Sequence, residues 1–218
     1  MKSLALKISM AVLSMIPLVA KAELIVLASP QSNDAYYAKM IDDIFDFHVD
    51  YAKKIIKNGD NVVVLTDKGL YPDYVKALGK KHVAIAPMHD IWMRDFTSAN
   101  PAQPVMFRYT AAGQGGAKKG QAISDEVQDE FKYYSQKAGL QFTQSKLLND
   151  GGNWVENGYG NLVLSTKFLA DNKLTESEAR KKLMALTGAK QIAFIEADEQ
   201  GAWNMPMVSS ALSTKIPW

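Results

Sequence analysis

The chain has 218 residues, with 25 basic and 23 acidic groups, three histidines and no cysteine. Lys2, Lys7 and Lys21 lie in the first 22 residues, which hold no acid, and without them the formal charge falls from +2 to −1. Charge therefore gives no support to a nucleic-acid or anionic-membrane partner. The absence of cysteine excludes a disulfide scaffold, thiolate metal sites and a cysteine nucleophile within these residues.

Residues 1–22 combine a lysine-bearing start, the apolar run Ile8–Val19 and a small-x-small exit at Ala20-Lys21-Ala22. That pattern predicts a secretory signal peptide, a mature chain starting at Glu23 and an exported, periplasmic or secreted protein. The run is short for a membrane span, which needs roughly 20 apolar residues. No membrane association is expected once the leader is removed.

The apolar runs Glu23–Ser29, Asn61–Thr66 and His82–Pro87 read as buried strands. Between them Asp34–Asn58 carries Tyr37, Ile41, Ile44, His48, Tyr51 and Ile55 at helical spacing, and Tyr71–Lys80 reads as a shorter helix. After a loop at 88–97, Val105–Tyr109 is strand-like, Ala111–Gly120 is a glycine-rich loop and Ser124–Ala138 is amphipathic. Gln141–Leu148 leads into Asn149-Asp150-Gly151-Gly152-Asn153. Trp154–Glu156 and Leu162–Ser165 then flank a glycine-rich turn as a hairpin. Thr175–Leu186 opens on Thr-x-x-Glu and closes at Gly188, and Gln191–Glu196 is a last strand. No linker divides residues 23–199, so one α/β domain is expected. Its strand-rich segments recur about every 60 to 70 residues, which points to weak structural repeats.

Two loops hold side chains unusual for ordinary turns. His89-Asp90-Ile91-Trp92-Met93-Arg94-Asp95 follows a strand end, where α/β folds place ligands. In 149–153 two glycines allow a sharp turn that aims polar groups the same way. Taken alone, a structural Arg94–Asp95 pair under a Trp lid and a plain loop before the hairpin account for the same residues. Together, Asp95 and Asp150 suit a cationic substrate, because a planar guanidinium pairs with carboxylates and stacks on an aromatic such as Trp92. No clustered ligand spacing supports a metal site. His48 lies on an apolar helix stripe and reads as a core residue, His82 as exposed, and His89 as a neighbour of the first loop. Gly113–Gly120 lacks the Gly-Lys-Ser/Thr of a phosphate loop and reads as a flexible surface segment.

Ile91-Trp92-Met93-Arg94-Asp95 and Asp150-Gly151-Gly152-Asn153, about 55 residues apart and in order, resemble the agmatine deiminase and Porphyromonas-type peptidylarginine deiminase family. Leu162-Val-Leu-Ser-Thr166 and Phe168-Leu169-Ala-Asp-Asn172 fit the same family. The resemblance implies an α/β-propeller of ββαβ units, of which residues 23–199 would form about three of five. It also implies hydrolysis of a guanidinium, agmatine's or peptidyl-arginine's, with release of ammonia and a ureido product and no metal or organic cofactor. In the family a cysteine thiolate attacks the guanidinium carbon, and a histidine supported by an acid activates water. Carried over, Asp95 would clamp the guanidinium and Trp92 would wall the pocket. Asp150 would support the histidine, and Asn153 would contact the loop or the substrate.

The family's His-x-Asp-Gly element and nucleophilic cysteine have no counterpart in these residues, and no histidine follows His89. The chain is thus expected to be a partial, inactive deiminase. The alternative is a non-catalytic exported protein that binds guanidino compounds. The tail 200–218 fits no element. Read one base earlier, the codons of Trp203-Asn204-Met205-Pro206-Met207-Val208 permit His-Ala-Asp-Gly, with Ala and Gly forced by the code and His and Asp only allowed. A frame change near Gln200–Ala202 is the hypothesis. The nucleotides past codon 199 test it: an alternative frame with neither a His-Asp element nor a downstream cysteine would sink it.

Overall fold

Pairing between neighbouring strands organises the chain into three small sheets, described over residues 24–97 and 104–197 of a computed structural model. The leader at 1–22, and the tail at 200–218 with its frame hypothesis, lie outside the described residues. In the first sheet β1 (Leu24–Ala28), β2 (Asn61–Thr66) and β3 (Val83–Ile85) run parallel in that order, with Leu24 opposite Asn61 and Val64 opposite Val83. Parallel neighbours need crossovers. Here these are α1 (Ile41–Lys57) and α2 (Tyr71–Leu78).

After a one-turn helix, α3 (Met93–Phe96), the second sheet pairs β4 (Val105–Tyr109) in parallel with β5 (Thr143–Asn149), and the long α4 (Ala117–Lys137) joins them. In the third, β6 (Val155–Glu156) and β7 (Asn161–Ser165) form the expected antiparallel hairpin. Two helices, α5 (Lys167–Asn172) and α6 (Glu176–Thr187), then lead to β8 (Gln191–Ile195), which pairs in parallel with β7. The Thr-x-x-Glu start of α6 is a full capping box, Thr175 and Glu178 each bonding the other's backbone N–H, and Gly188 closes the helix at φ 72°.

Two segments differ from the sequence expectation. The first helix begins at Ile41 rather than near Asp34, because the Asp34 carboxylate accepts the backbone N–H groups of Tyr36 (2.8 Å) and Tyr37 (3.4 Å). Such a side-chain turn competes with helix and holds 34–40 in turns. Tyr37 is therefore buried away from the α1 stripe, which is formed by His48, Ala52 and Ile55. The glycine-rich segment is likewise ordered: Ala111–Gln114 is a 3-10 turn, and α4 starts at Ala117, seven residues before Ser124. Gly120 lets the helix lie on that turn, since a Cβ there would stand 2.6 Å from the Gln114 carbonyl oxygen.

β4 is shared by two cores. Val105 and Phe107 pack with Trp154, Leu164, Phe168 and Leu183, joining the second and third sheets, and the Phe107 and Trp154 rings lie 5.4 Å apart. Met106 and Tyr109 pack instead with Met88, Met93, Phe96 and Phe131, joining the first sheet to α4. Burying Phe168 alone contributes roughly 2–3 kcal/mol. Both cores flank the loops that leave β3 and β5.

His48 is a core residue, as read from its stripe, with Nδ1 3.1 Å from the Tyr74 hydroxyl. Burial lowers its pKa from 6.5 to about 4. Because the folded value is depressed, this contribution to stability is present above pH 6.5 and lost as pH falls toward 4. His48→Gln should flatten the fall in unfolding free energy between pH 7 and 4.5 by on the order of 2 kcal/mol in denaturant titrations. An unchanged slope would contradict this.

Candidate functional site

The loops that leave β3 and β5 meet backbone to backbone. In the first, Met93 and Phe96 are buried in the core and fix the one-turn α3, which presents Asp95 half-buried and Trp92 56% exposed. In the second, the Asp150 carboxylate accepts the Gly152 N–H at 2.7 Å, and the Asp150 carbonyl accepts the Asn153 N–H at 2.9 Å, winding a tight 3-10 turn. Gly151 is buried against the first loop: a Cβ on it would sit 1.7 Å from the Arg94 carbonyl oxygen. A side chain cannot occupy that space without parting the loops. Beside it, the Cβ position of Gly152 is 3.0 Å from Asp150 Oδ1 and 3.4 Å from Asp95 Oδ1. Both carboxyls therefore border one atom-sized space.

Asp95 and Asp150 lie close enough to shift one another's pKa. Burial, then the Asp150 charge and hydrogen bond, then Asp90, push the Asp95 pKa up to about 7, against a small opposing effect of Arg94. Burial also raises Asp150, opposed by the Gly152 N–H, Asp95 and the Lys167 charge. Two such carboxyls do not ionise independently. Tyr109 lies beside them. Its hydroxyl is raised by burial and by the charges of Asp150, Asp95 and Asp90.

Asp90 is a third carboxylate, which sequence reasoning did not single out. It is 8% exposed and accepts from the Tyr37 hydroxyl (3.4 Å), the Trp92 N–H (3.2 Å) and the Gln114 side-chain amide (2.9 Å). The only local signal was an acid two residues before Trp92, an Asx-turn spacing. Tyr37, Gln114 and Tyr109 come from distant segments and had no such signal.

Among the residues singled out from the sequence, Asp95, Asp150 and Trp92 fall together at this site. Asn153 takes part in the loop's own bonding. It is buried, its Nδ2 donates to Asn149 Oδ1 (3.3 Å) and its Oδ1 accepts the Ser165 N–H (2.8 Å), so it straps the loop to β7. The Asp95 carboxyl faces Asp150 rather than pairing mainly with Arg94, whose side chain is exposed. His89 turns away toward α4, 3.8 Å from both Glu126 and Glu130. His82 is half-buried rather than exposed, with Nδ1 3.0 Å from the Val62 carbonyl oxygen. Among the described residues no group of three His, Cys, Asp or Glu side chains could hold a metal ion, and no helix is long and apolar enough to cross a membrane. A cleft of about 640 Å³ elsewhere, lined by Arg108, Leu148, Asn172 and Lys182 among others, includes none of the site residues. Converging carboxyls and an aromatic, rather than cleft size, mark the site.

The Porphyromonas-type peptidyl-arginine deiminase family matches residues 14–202. The chain belongs to that family. Its fold is similar to agmatine deiminase from C. jejuni, with a TM-score of 0.62 at 18% identity over 81% of this chain and 54% of that one. A serine-for-cysteine variant of the same enzyme with substrate bound gives 0.61 at 17% identity, again over 81% and 54%. Agmatine deiminase of Enterococcus faecalis gives 0.58 at 13% identity over 81% and 51%. These likenesses establish the α/β-propeller fold expected from the loop motifs. The chain spans about half the length of these solved relatives. Comparison with curated protein sequences finds no match.

The carboxyl pair costs stability. With its folded pKa near 7 against an ordinary 3.8, Asp95 contributes stability that is fully present below pH 3.8 and lost as pH rises through 7. Asp95→Asn should therefore stabilise the chain at pH 8. The gain is on the order of 1–2 kcal/mol because water still screens the pair, and it should vanish as pH falls to 4. Thermal melts at the two pH values measure it. Equal melts at pH 8 would show that the carboxyls do not strain one another.

Proposed function

We propose that the Asp95–Asp150 pair binds the guanidinium group of an agmatine- or arginine-like compound against the Trp92 ring. The wider activity served is hydrolysis of that group to a ureido product and ammonia. The observation that carries this reading is the convergence of two carboxyls, from loops about 55 residues apart, with the half-exposed Trp92 three residues before Asp95 on the same loop. A guanidinium offers five N–H donors in one plane. Two carboxylates can take those along its edges while an indole covers its face. Partial burial of the pair strengthens the attraction relative to open water. Family membership and the structural relatives, agmatine deiminases with one holding substrate, support the same substrate class. The leader read in residues 1–22 favours an extracellular guanidino compound, peptidyl-arginine among them, over a cytosolic polyamine precursor.

In the chemistry that the family implies, a thiolate adds to the guanidinium carbon, ammonia leaves, and water then releases the ureido product. The clamp's part is to hold the guanidinium nitrogens so that the carbon is presented face-on, and to keep the group cationic, and so electrophilic, until the thiolate adds and neutralises it. These 218 residues contain no cysteine, so the thiolate step has no residue here. That observation favours a second reading, in which the chain by itself binds guanidino compounds without turning them over.

Calorimetry with agmatine and with an arginine-containing peptide, run beside a ureido colour assay, separates the readings. The cation binds best once Asp95, whose pKa is pushed up to about 7, has lost its proton. Affinity should therefore tighten by up to about tenfold per pH unit from pH 5 to 7 and level off above, and Asp95→Asn should weaken it at least about tenfold. Binding without product supports the binder, and product formation supports turnover. Absence of binding at pH 8 would overturn the clamp.

A further inference from the structure

The α1 helix carries two apolar surfaces, and among the described residues only one of them is packed. His48, Ala52 and Ile55 are buried, and Phe45 lies 4.7 Å from the Tyr74 ring of α2. Met40, Ile44, Phe47 and Tyr51 recur at i, i+4, i+7 and i+11, which sets them in line along another side of the helix. Phe47 is 63% exposed and Tyr51 41%, and Met40 is exposed beside them. The Phe47 and Tyr51 rings stack on one another, 5.7 Å apart at 22°. Single exposed apolar residues are ordinary, but stacked rings within an apolar line form a patch that marks contact with another surface.

Charge along α1 says what the patch fits. Asp42, Asp43, Asp46 and Asp50 occupy its first ten residues with no lysine or arginine, and Lys53, Lys54 and Lys57 its last five with no acid. The helix dipole accounts for Asp42, Asp43 and Lys57 at the ends, but not for Asp46 and Asp50, which lie beyond the first turn. Asp43, Asp50 and Lys54 border the apolar line, three or four residues from its members, and Lys54 already reaches Asp50 at 2.6 Å. A second α1 laid antiparallel brings acid against base at both ends. With Phe47 opposite Tyr51 of the second copy, Asp43 comes within one residue of that copy's Lys54, and twofold symmetry repeats both contacts. A parallel arrangement would set acid on acid, and a partner of one charge would suit only half of the helix.

We propose that the side of α1 bearing Met40, Phe47 and Tyr51 is a self-association surface, through which two copies of this chain pair antiparallel about a twofold axis level with residue 49. The inference does not depend on the guanidinium reading. The apolar line is about 16 Å long at 1.5 Å per residue. One helix pair of that length stays below the roughly 1,200 Å² of a stable interface, so the pairing is weak and depends on concentration. Sedimentation of the full chain over about a hundredfold range of concentration should therefore show the mean mass rising from one chain toward two.

Charge reversal tests the arrangement itself. Asp43→Lys alone sets lysine against lysine across the axis, and Lys54→Glu alone sets acid against acid. Each should weaken association at least about fivefold. Mixing the two variants sets the introduced lysine against the introduced glutamate and the native Asp43 against the native Lys54. Association should then return to within about twofold of the unaltered chain. Phe47→Ser should weaken it at least about tenfold. All three residues are exposed, and a thermal melt of each variant checks that the fold is kept. An unaltered chain that stays monomeric throughout the range, whether its α1 face is bare or covered by another part of the same chain, would overturn the proposal. So would a dimer indifferent to all three substitutions, or a mixture that fails to restore pairing.

Discussion

Gly151 lies against the Arg94 carbonyl with no space for even one carbon atom, and that contact fixes where both loops place their side chains. Backbone contact of this closeness is available only to glycine. Once the loops touch, Asp95 and Asp150 have little freedom to separate, because each sits one residue from the contact. The rise of the Asp95 pKa beyond what burial gives, and part of the charge felt by the Tyr109 hydroxyl, follow from that enforced approach.

Two like charges held together would spread unless the scaffold behind them were stiff. The stiffness comes from the packing on the two sides of β4. One core anchors the first loop through Met93 and Phe96, and the other backs the second loop through Trp154 and the β7 side chains. Asn153 completes the second anchor by strapping the turn to β7. The site thus sits at the seam between successive units, and the buried apolar surface around it offsets what the carboxyl pair costs.

The site's periphery is built from parts that look unrelated along the chain. Tyr37 precedes α1, Gln114 belongs to a turn before α4, and Asp90 stands between them holding both. Each would be an ordinary polar residue in isolation. Their meeting makes a buried, fully bonded carboxylate, and such networks specify one arrangement when every partner is present.

The sequence by itself determined the strands at 24–28, 61–66, 105–109 and 191–195, the capped helix after Thr175 and the hairpin around Tyr159, because periodicity and capping are written in neighbouring residues. It also marked Trp92, Asp95 and Asp150, since each lies in a short motif with its own local chemistry. Only the tertiary structure decided that the first helix starts at Ile41, that the glycine segment is an ordered turn carrying Gln114, and that Asp90 joins three segments. The physical reason is the range of the interactions. A side chain that bonds its own neighbours leaves a trace in spacing, whereas the Asp90 network and the Gly151–Arg94 contact depend on residues brought together only when the units pack.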